Sequence, residues 1–364
     1  MAGRLWREAA TLIIVSRSSQ LNVKRHGFSD TDYQLLLLKR NQKSAFMPSA
    51  FVFPGGVIDS SDFSQDWLDV FKRCGYTASD LLKEFRHQSP LPEFYASSLY
   101  QANSSLANKP AHCILPEVGF RIGAIRETFE ESGILLASHL PGNPFEQRDL
   151  EQWRTSVHRD PTRFIKLFQE LGGCPAVWDL HEWMGWLTPT HTFVRRFDTA
   201  FYITFMDTIT NVTTDDNEIV GLEVAFPSAI LEQCYNKTLW LPPPQIYELS
   251  RLVQVKAYEE LKRFAEQRGK LGFDRYMPVM IITSNGRLSV LPGDDLYPEE
   301  PDYIGNEAIR KIDSTLEELR EASTHLNRIE VRGPSDFLCL VNIIPKYGHI
   351  PAFNYLQVFN QEKS

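Results

Sequence analysis

The feature that most restricts this chain is the stretch Ile125-Arg126-Glu127-Thr128-Phe129-Glu130-Glu131-Ser132-Gly133. Wound as a helix at about 100° per residue, it gathers Glu127, Glu130 and Glu131 on one face, with Arg126 at the margin. Ile125 and Phe129, four apart, point the other way and can anchor the helix in a core. Three carboxylates on one face repel each other unless something positive sits among them. A hard divalent cation meets that requirement: Mg²⁺ takes oxygen ligands, keeps several waters and is held by one or two carboxylates together with substrate phosphates. An acidic run of this kind, taken alone, is most simply a solvated helix face; the segments around it argue for more.

Around this helix the chain alternates short β-like and helical stretches. Residues 9–16, with the run Thr11-Leu12-Ile13-Ile14-Val15, and residues 33–38 are expected as buried strands, with a turn at His26-Gly27-Phe28-Ser29-Asp30 between them. Phe51-Val52-Phe53 is expected as a short strand running into a Pro54-Gly55-Gly56 loop. From about Asp62 to Pro116 the texture changes to short helices, at Trp67–Phe71 and Asp80–Phe85, broken by Pro90, Pro92 and Pro110. The acidic helix is expected over Arg121–Leu136 with a break at Gly133, and 144–172 as helical. Residues 183–206 look strand-like, and Leu241-Pro242-Pro243-Pro244-Gln245 opens a helix through Ala265. Beyond lie a strand at Val279–Thr283, a charged helix over Ile309–Leu326 and a strand near Phe337–Ile344.

Composition narrows the function classes. At 43% hydrophobic residues the 364-residue chain can bury a sizeable core. Its net charge of −8 argues against wrapping nucleic acid on a broad basic face, while leaving room for a small anionic substrate whose charge a local metal neutralises. No stretch approaches the roughly 20 apolar residues of a membrane helix. The five cysteines, Cys74, Cys113, Cys174, Cys234 and Cys339, show no Cys-x-x-Cys spacing and suit reduced intracellular thiols. The final Glu362-Lys363-Ser364 is not the Ser-Lys-Leu peroxisomal address.

Phe53-Pro54-Gly55-Gly56 followed by Arg126-Glu127-Thr128-Phe129-Glu130-Glu131-Ser132-Gly133-Ile134 resembles the box of the Nudix hydrolases, Gly-x5-Glu-x7-Arg-Glu-U-x-Glu-Glu-x-Gly-U with U apolar. Thr128 stands where the box has an apolar residue. The box is also interrupted. Counting from Gly56 puts the first acid at Asp62, with Asp59 as an earlier candidate, and residues 63–125 then occupy 63 positions where the box has seven. A contiguous box would put Val118 at that acid, with Glu117 missing by one. Asp59, Asp62 and Glu117 all stay open.

Further segments narrow the resemblance. Leu36-Leu37-Leu38-Lys39-Arg40, Phe46-Met47-Pro48, Trp186-Leu187-Thr188-Pro189, Arg195-Arg196-Phe197-Asp198-Thr199 and the proline run at 242–244 look like the nucleoside-diphosphate-linked moiety X motif 19 type, which includes a mammalian peroxisomal coenzyme A diphosphatase. The resemblance implies a Nudix α/β/α sandwich with a mixed central sheet over residues 9–264, a helical insertion at about 63–118, and an α/β extension over 265–364 packed on it. It implies cleavage of coenzyme A or acyl-coenzyme A at the diphosphate, with Mg²⁺ or Mn²⁺ on Glu127 and Glu131 and with Glu130 as third ligand or base. Arg126 would orient a carboxylate or the loop, Gly55 and Gly56 would let backbone approach the substrate, and Lys39 and Arg40 would contact its phosphates. Arg195 and Arg196 raise the same question, Arg196 equally as a buried ion pair with Asp198. His181 and His191 are acid–base candidates or structural, and Trp240 and Tyr247 stack on a base or pack in the core. The alternatives are another nucleoside diphosphate derivative as substrate (ADP-ribose, NADH, capped RNA) and a non-catalytic Nudix binding module.

Overall fold

The computed structural model describes residues 6–18, 31–85, 95, 114–140, 147–191, 195–210, 212–214, 218–272, 274–333 and 336–354. The turn expected at 26–30 lies outside them, as do most of the residues between Phe85 and Ile114.

Strand β1 (Arg7–Arg17) is the axis of the molecule, and its buried run has both faces covered. Ala10, Leu12 and Ile14 enter one apolar cluster, Ile13 and Val15 the other. A strand buried on both faces reads as a near-continuous apolar run, which is why Thr-Leu-Ile-Ile-Val stands out in the sequence. β2 (Tyr33–Arg40) divides in the same way, Leu36 and Leu38 against Leu35 and Leu37.

The remaining strands are β3 (Phe51–Val52), β4 (Gly55–Val57), β5 (Ala137–Ser138), β6 (Cys174–Pro175), β7 (His181–Leu187), β8 (Phe197–Met206), β9 (Ile219–Ala225) and β10 (Arg275–Tyr276). The central sheet runs β10–β7–β8–β1–β2–β3, with β4 on β1 and β9 on β2; β5 and β6 form a separate ribbon. It is mixed: β1–β8 and β10–β7 are parallel, the other pairs antiparallel. One face packs under the helices Asp66–Arg73, Pro116–Ser132 and Arg163–Leu171, the other on Pro243–Leu252 and Tyr258–Arg268. The expected α/β/α sandwich is this arrangement.

The C-terminal residues add a five-stranded sheet, β13–β11–β12–β14–β15, from β11 (Val279–Thr283), β12 (Gly286–Val290), β13 (Arg310–Lys311), β14 (Asn327–Gly333) and β15 (Asp336–Val341). Its Ile281, Leu288 and Val290 pack on Leu316 and Leu319 of a short helix, whereas Ile329 and Cys339 join the cluster under the central sheet.

Several element boundaries differ from expectation. The acidic helix starts at Pro116, not Arg121, because Pro at its first turn pre-sets the helical φ. It ends at Ser132, where Gly133 adopts the left-handed cap (φ 74°) and donates to the Phe129 carbonyl. The helix expected over 309–326 shrinks to Leu316–Glu321, since the Thr315 hydroxyl and the Glu318 carboxylate form a capping box that starts it there. Arg310 and Lys311 pair instead with β11. The Pro-Gly-Gly segment is not a free loop: Gly55 and Gly56 are strand residues opposite Thr11 and Ala10.

Candidate active site

β4 is an added strand wedged beside the first half of β1, where the facing residues Ala9, Ala10 and Thr11 are small. Gly55 has φ +147°, and a Cβ there would sit 2.3 Å from the Ala10 carbonyl oxygen. The Pro116–Ser132 helix lies across this strand. Its Glu131 Oε2 accepts the Gly55 N–H at 2.8 Å, and a Cβ on Gly56 would fall 2.3 Å from Glu127 Oε2. The two bare glycines therefore bring main chain against the two carboxylates. Gly56→Ala is expected to displace the Glu127 carboxylate and lower turnover roughly tenfold or more, given how steeply rate responds to misplacement of about 1 Å. Steady-state kinetics and a melting curve on the same preparation separate this from unfolding.

Arg126, 2% exposed, organises the rest. All five of its N–H groups find acceptors. Nε and Nη2 grip the two oxygens of Asp62 at 2.9 Å each. Nη2 also reaches the Val57 carbonyl (2.9 Å), while Nη1 reaches Glu127 Oε1 (2.9 Å) and Glu130 Oε1 (2.7 Å). Burial disfavours its charge, yet Asp62, Glu127 and Glu130 together hold it protonated well above its ordinary range. The Asp62 side chain also accepts the Asp59 N–H, and Asp59 accepts from Ser61 to cap the turn Ser60–Phe63. Asp62 can come this close because Gly123 faces it: a Cβ there would stand 2.4 Å from Ile58 Cδ1 and 2.9 Å from Asp62 Oδ2. Of the three acids left open, Asp62 meets Arg126; Asp59 is its neighbour in the turn. Glu117 belongs to a separate buried group in which its carbonyl accepts from Arg121 and Tyr95 meets Glu182 and Tyr202. Thr128, fully buried, has no hydroxyl partner among the described residues and fills an apolar position.

Glu127 and Glu131 are the carboxylates with the greatest electrostatic tension. Burial pushes Glu127 up to about 7, with Arg126 opposing and Glu130 adding. Burial raises Glu131 well above the carboxylate range, and Glu127 and Glu218 add to the shift against Gly55 and Arg40. Two features were missed in the sequence. Buried Arg154 donates to the Glu130 and Glu131 carbonyls (2.8 Å each), satisfying the last turn of the acidic helix, and to Thr213 Oγ1 (2.8 Å). His158 Nδ1 stands 3.4 Å from Glu130 Oε2. Both come from a polar helix, Gln147–Arg159, with no motif to mark it.

These groups lie at one wall of a cleft of about 1450 Å³. Arg40, Arg195 and Trp240 also line it; Lys39 does not, and its Nζ lies over the Phe51 ring, 5.7 Å from the centroid. His181, His191, Arg196 and Tyr247 are outside the lining too. Burial lowers His181 to about 4, so it is neutral. Arg196 donates to the Thr188 carbonyl, while the ion pair of Asp198 is with Arg275 at 2.9 Å, not with Arg196. Tyr247 is a core residue whose hydroxyl donates to Asn327 (2.8 Å).

The sequence profile of the NUDT19 Nudix domain matches residues 6–252, and that of the NUDT19 C-terminal domain matches 280–342. The chain belongs to the NUDT19 family of Nudix hydrolases. An acyl-coenzyme A diphosphatase NUDT19 of Xenopus laevis is 39% identical, covering 99% of this chain and 98% of its own length. The Homo sapiens protein of the same name is 34% identical over 95% and 94%. A solved Nudix hydrolase from Alicyclobacillus acidocaldarius, 19% identical, covers 71% of this chain and 96% of its own with a TM-score of 0.48. In this NUDT19-type chain Asp62, which precedes the insertion, meets Arg126 of the acidic helix in space.

Nudix hydrolases generally use divalent cations, and the donor chemistry here suits one. No cluster of three or more His, Cys, Asp or Glu side chains forms a closed metal site among the described residues. Part-exposed Glu127 and buried Glu131 instead offer two carboxylate donors, which suits a hard divalent cation whose shell waters and substrate phosphates complete. No helix among the described residues is long and apolar enough to cross a membrane.

Proposed function

We propose that this chain hydrolyses the diphosphate of coenzyme A and acyl-coenzyme A to adenosine 3′,5′-bisphosphate and (acyl-)4′-phosphopantetheine, with Mg²⁺ or Mn²⁺ held by Glu127 and Glu131. The observation that carries it is the 2.8 Å contact of Glu131 with Gly55 N–H at the wall of a cleft large enough for such a substrate. The names of the full-length relatives supply the substrate class.

A diphosphate resists water because its oxygens repel a nucleophile; a bound divalent ion neutralises them and acidifies the attacking water. The chain's own residues do the rest. Glu127 and Glu131, set against Gly56 and Gly55, would hold the ion. Glu130 accepts the proton of the attacking water through Oε2, its other oxygen being fixed by Arg126 at 2.7 Å. Asp62 locks Arg126, and Arg40 meets the phosphates in place of Lys39. Residues 265–364 serve as an extension of the Nudix domain.

The test is a panel of coenzyme A, acyl-coenzyme A, ADP-ribose, NADH and capped RNA with Mg²⁺. Coenzyme A and its thioesters are expected to be cleaved fastest, releasing adenosine 3′,5′-bisphosphate. Cleavage of no diphosphate would leave a binding module. Ion binding carries a pH signature as well. Glu127, lifted to about 7, must lose its proton to serve as a ligand. Apparent Mn²⁺ affinity is therefore expected to fall about tenfold or more per pH unit below neutrality, since raised Glu131 must lose its proton as well, measured by calorimetry.

A further inference from the structure

The cleft does not end at the Nudix sheet. Its lining continues onto Met280, Arg287, Ser289, Ile329, Val331 and Phe337 of the C-terminal sheet. These residues are a single face. Met280 pairs with Ser289 and Ser289 with Ile329 across neighbouring strands, while Arg287 pairs with Val331 and Val331 with Phe337, two residues further along each strand. Residues directly opposite, and those two apart, project from the same side of a sheet. The reverse side is closed by the sheet's own helix. The cleft-facing side offers part-buried Met280, Val331 and Phe337, with buried Ile329 and Ser289 at its base, the Ser289 hydroxyl donating to the Met280 sulfur at 3.0 Å, and one exposed arginine whose charge stays in water.

We propose that this face of the C-terminal sheet is the subsite for the uncharged arm of the substrate, the acyl-pantetheine chain, and so sets acyl-chain preference. The inference rests on the coenzyme A reading above. The two arms that leave a coenzyme A diphosphate differ in chemistry: one carries a base and a further phosphate, the other amides and an aliphatic chain. Arg40 and Lys43 and the aromatic rings of Phe46 and Trp240 line the cleft along the Nudix strands and their loops. Cations and π-faces suit the nucleotide. The C-terminal wall, mostly apolar, suits the chain and would be a poor host for a phosphate dianion.

Val331→Asp places a carboxylate in the path of the chain, and Met280→Gln places an uncharged amide there with nearly unchanged volume. Each is assayed on free coenzyme A and on decanoyl-coenzyme A, with decanoyl-pantetheine and adenosine 3′,5′-bisphosphate as competing half-molecules. Val331→Asp is expected to cut kcat/KM for the decanoyl thioester roughly tenfold or more, and to cost free coenzyme A, which has the pantetheine but no acyl chain, a clearly smaller factor. Inhibition by decanoyl-pantetheine weakens in parallel and that by the bisphosphate does not. Equal losses on both substrates, or weaker inhibition by the bisphosphate, would overturn the assignment. Should Val331→Asp fail to fold, Met280→Gln decides in the same direction with a smaller ratio. A parent protein that cleaves neither substrate defeats the coenzyme A reading itself; one that cleaves both while the variants do not discriminate defeats only the subsite.

Discussion

Glu131→Gln is expected to lose roughly 10²-fold or more in kcat while melting no lower than the parent when metal is absent. Both halves follow from its surroundings. The carboxylate is buried, close to Glu127 and Glu218, and its charged form is disfavoured strongly enough to raise it well above the carboxylate range. A carboxyl raised on folding stabilises the folded chain fully below its unfolded pKa and loses that stabilisation as pH rises toward the folded value. Without metal the parent must either bury a disfavoured charge at Glu131 or take up a proton to neutralise it, and a glutamine avoids both. The amide oxygen can still accept the Gly55 N–H. Divalent ion reverses the comparison: it stabilises the parent by binding the deprotonated pair and has less to bind in the variant. Thermal melts at pH 5 and pH 8, each with and without Mg²⁺, read the second half, and initial rates read the first. A variant as active as the parent would remove Glu131 from the machinery; one that is inactive because it melts far below the parent would make its role structural.

What could be read from the chain follows its local periodicity. Glu127, Glu130 and Glu131 share a face over barely more than one turn, and β1 and β2 are apolar on both faces, so both signals lie within a few residues. The pairing that completes the site does not. Asp62 and Arg126 are 64 positions apart, and only the close approach permitted at Gly123 makes them neighbours. The start of the acidic helix was obscure because residues 116–126 are nearly all buried, including Glu117, Arg121 and Arg126, leaving no polar stripe to alternate with. Arg154 gave no hint for a different reason: it acts on backbone carbonyls, which every residue has. The charged run over 309–326 suggests one long helix, but Thr315 and Glu318 act as a start signal that confines it to Leu316–Glu321. The contribution of the C-terminal sheet to the cleft is legible only once Arg287, Val331 and Phe337 are seen in register.

The largest expected loss of stability is at Arg126. Its guanidinium is the only cation in hydrogen-bond contact with Asp62 among the described residues, and it also binds Glu127 and Glu130. Arg126→Ala strands buried Asp62 and Glu130 together with part-exposed Glu127, and removal of one partner from a buried ion pair costs about 3–5 kcal/mol. Urea unfolding at pH 8 is expected to show a loss of that size. It should shrink at pH 5, because acids deprived of their counter-charge take up protons more readily and a neutral carboxyl is cheaper to bury. Arg126→Lys is expected to fall between, since an ammonium supplies the charge without the planar fork that grips both Asp62 oxygens. Asp62→Asn should cost less than Arg126→Ala, as Glu127 and Glu130 still compensate the arginine. Adding it to Arg126→Ala should cost less than the sum of the two, because the first change has already removed the partner. Strict additivity in that cycle, or an Arg126→Ala loss below about 1 kcal/mol, would mean that Asp62 and the acidic helix are held together by packing at Gly123 and not by the ion pair.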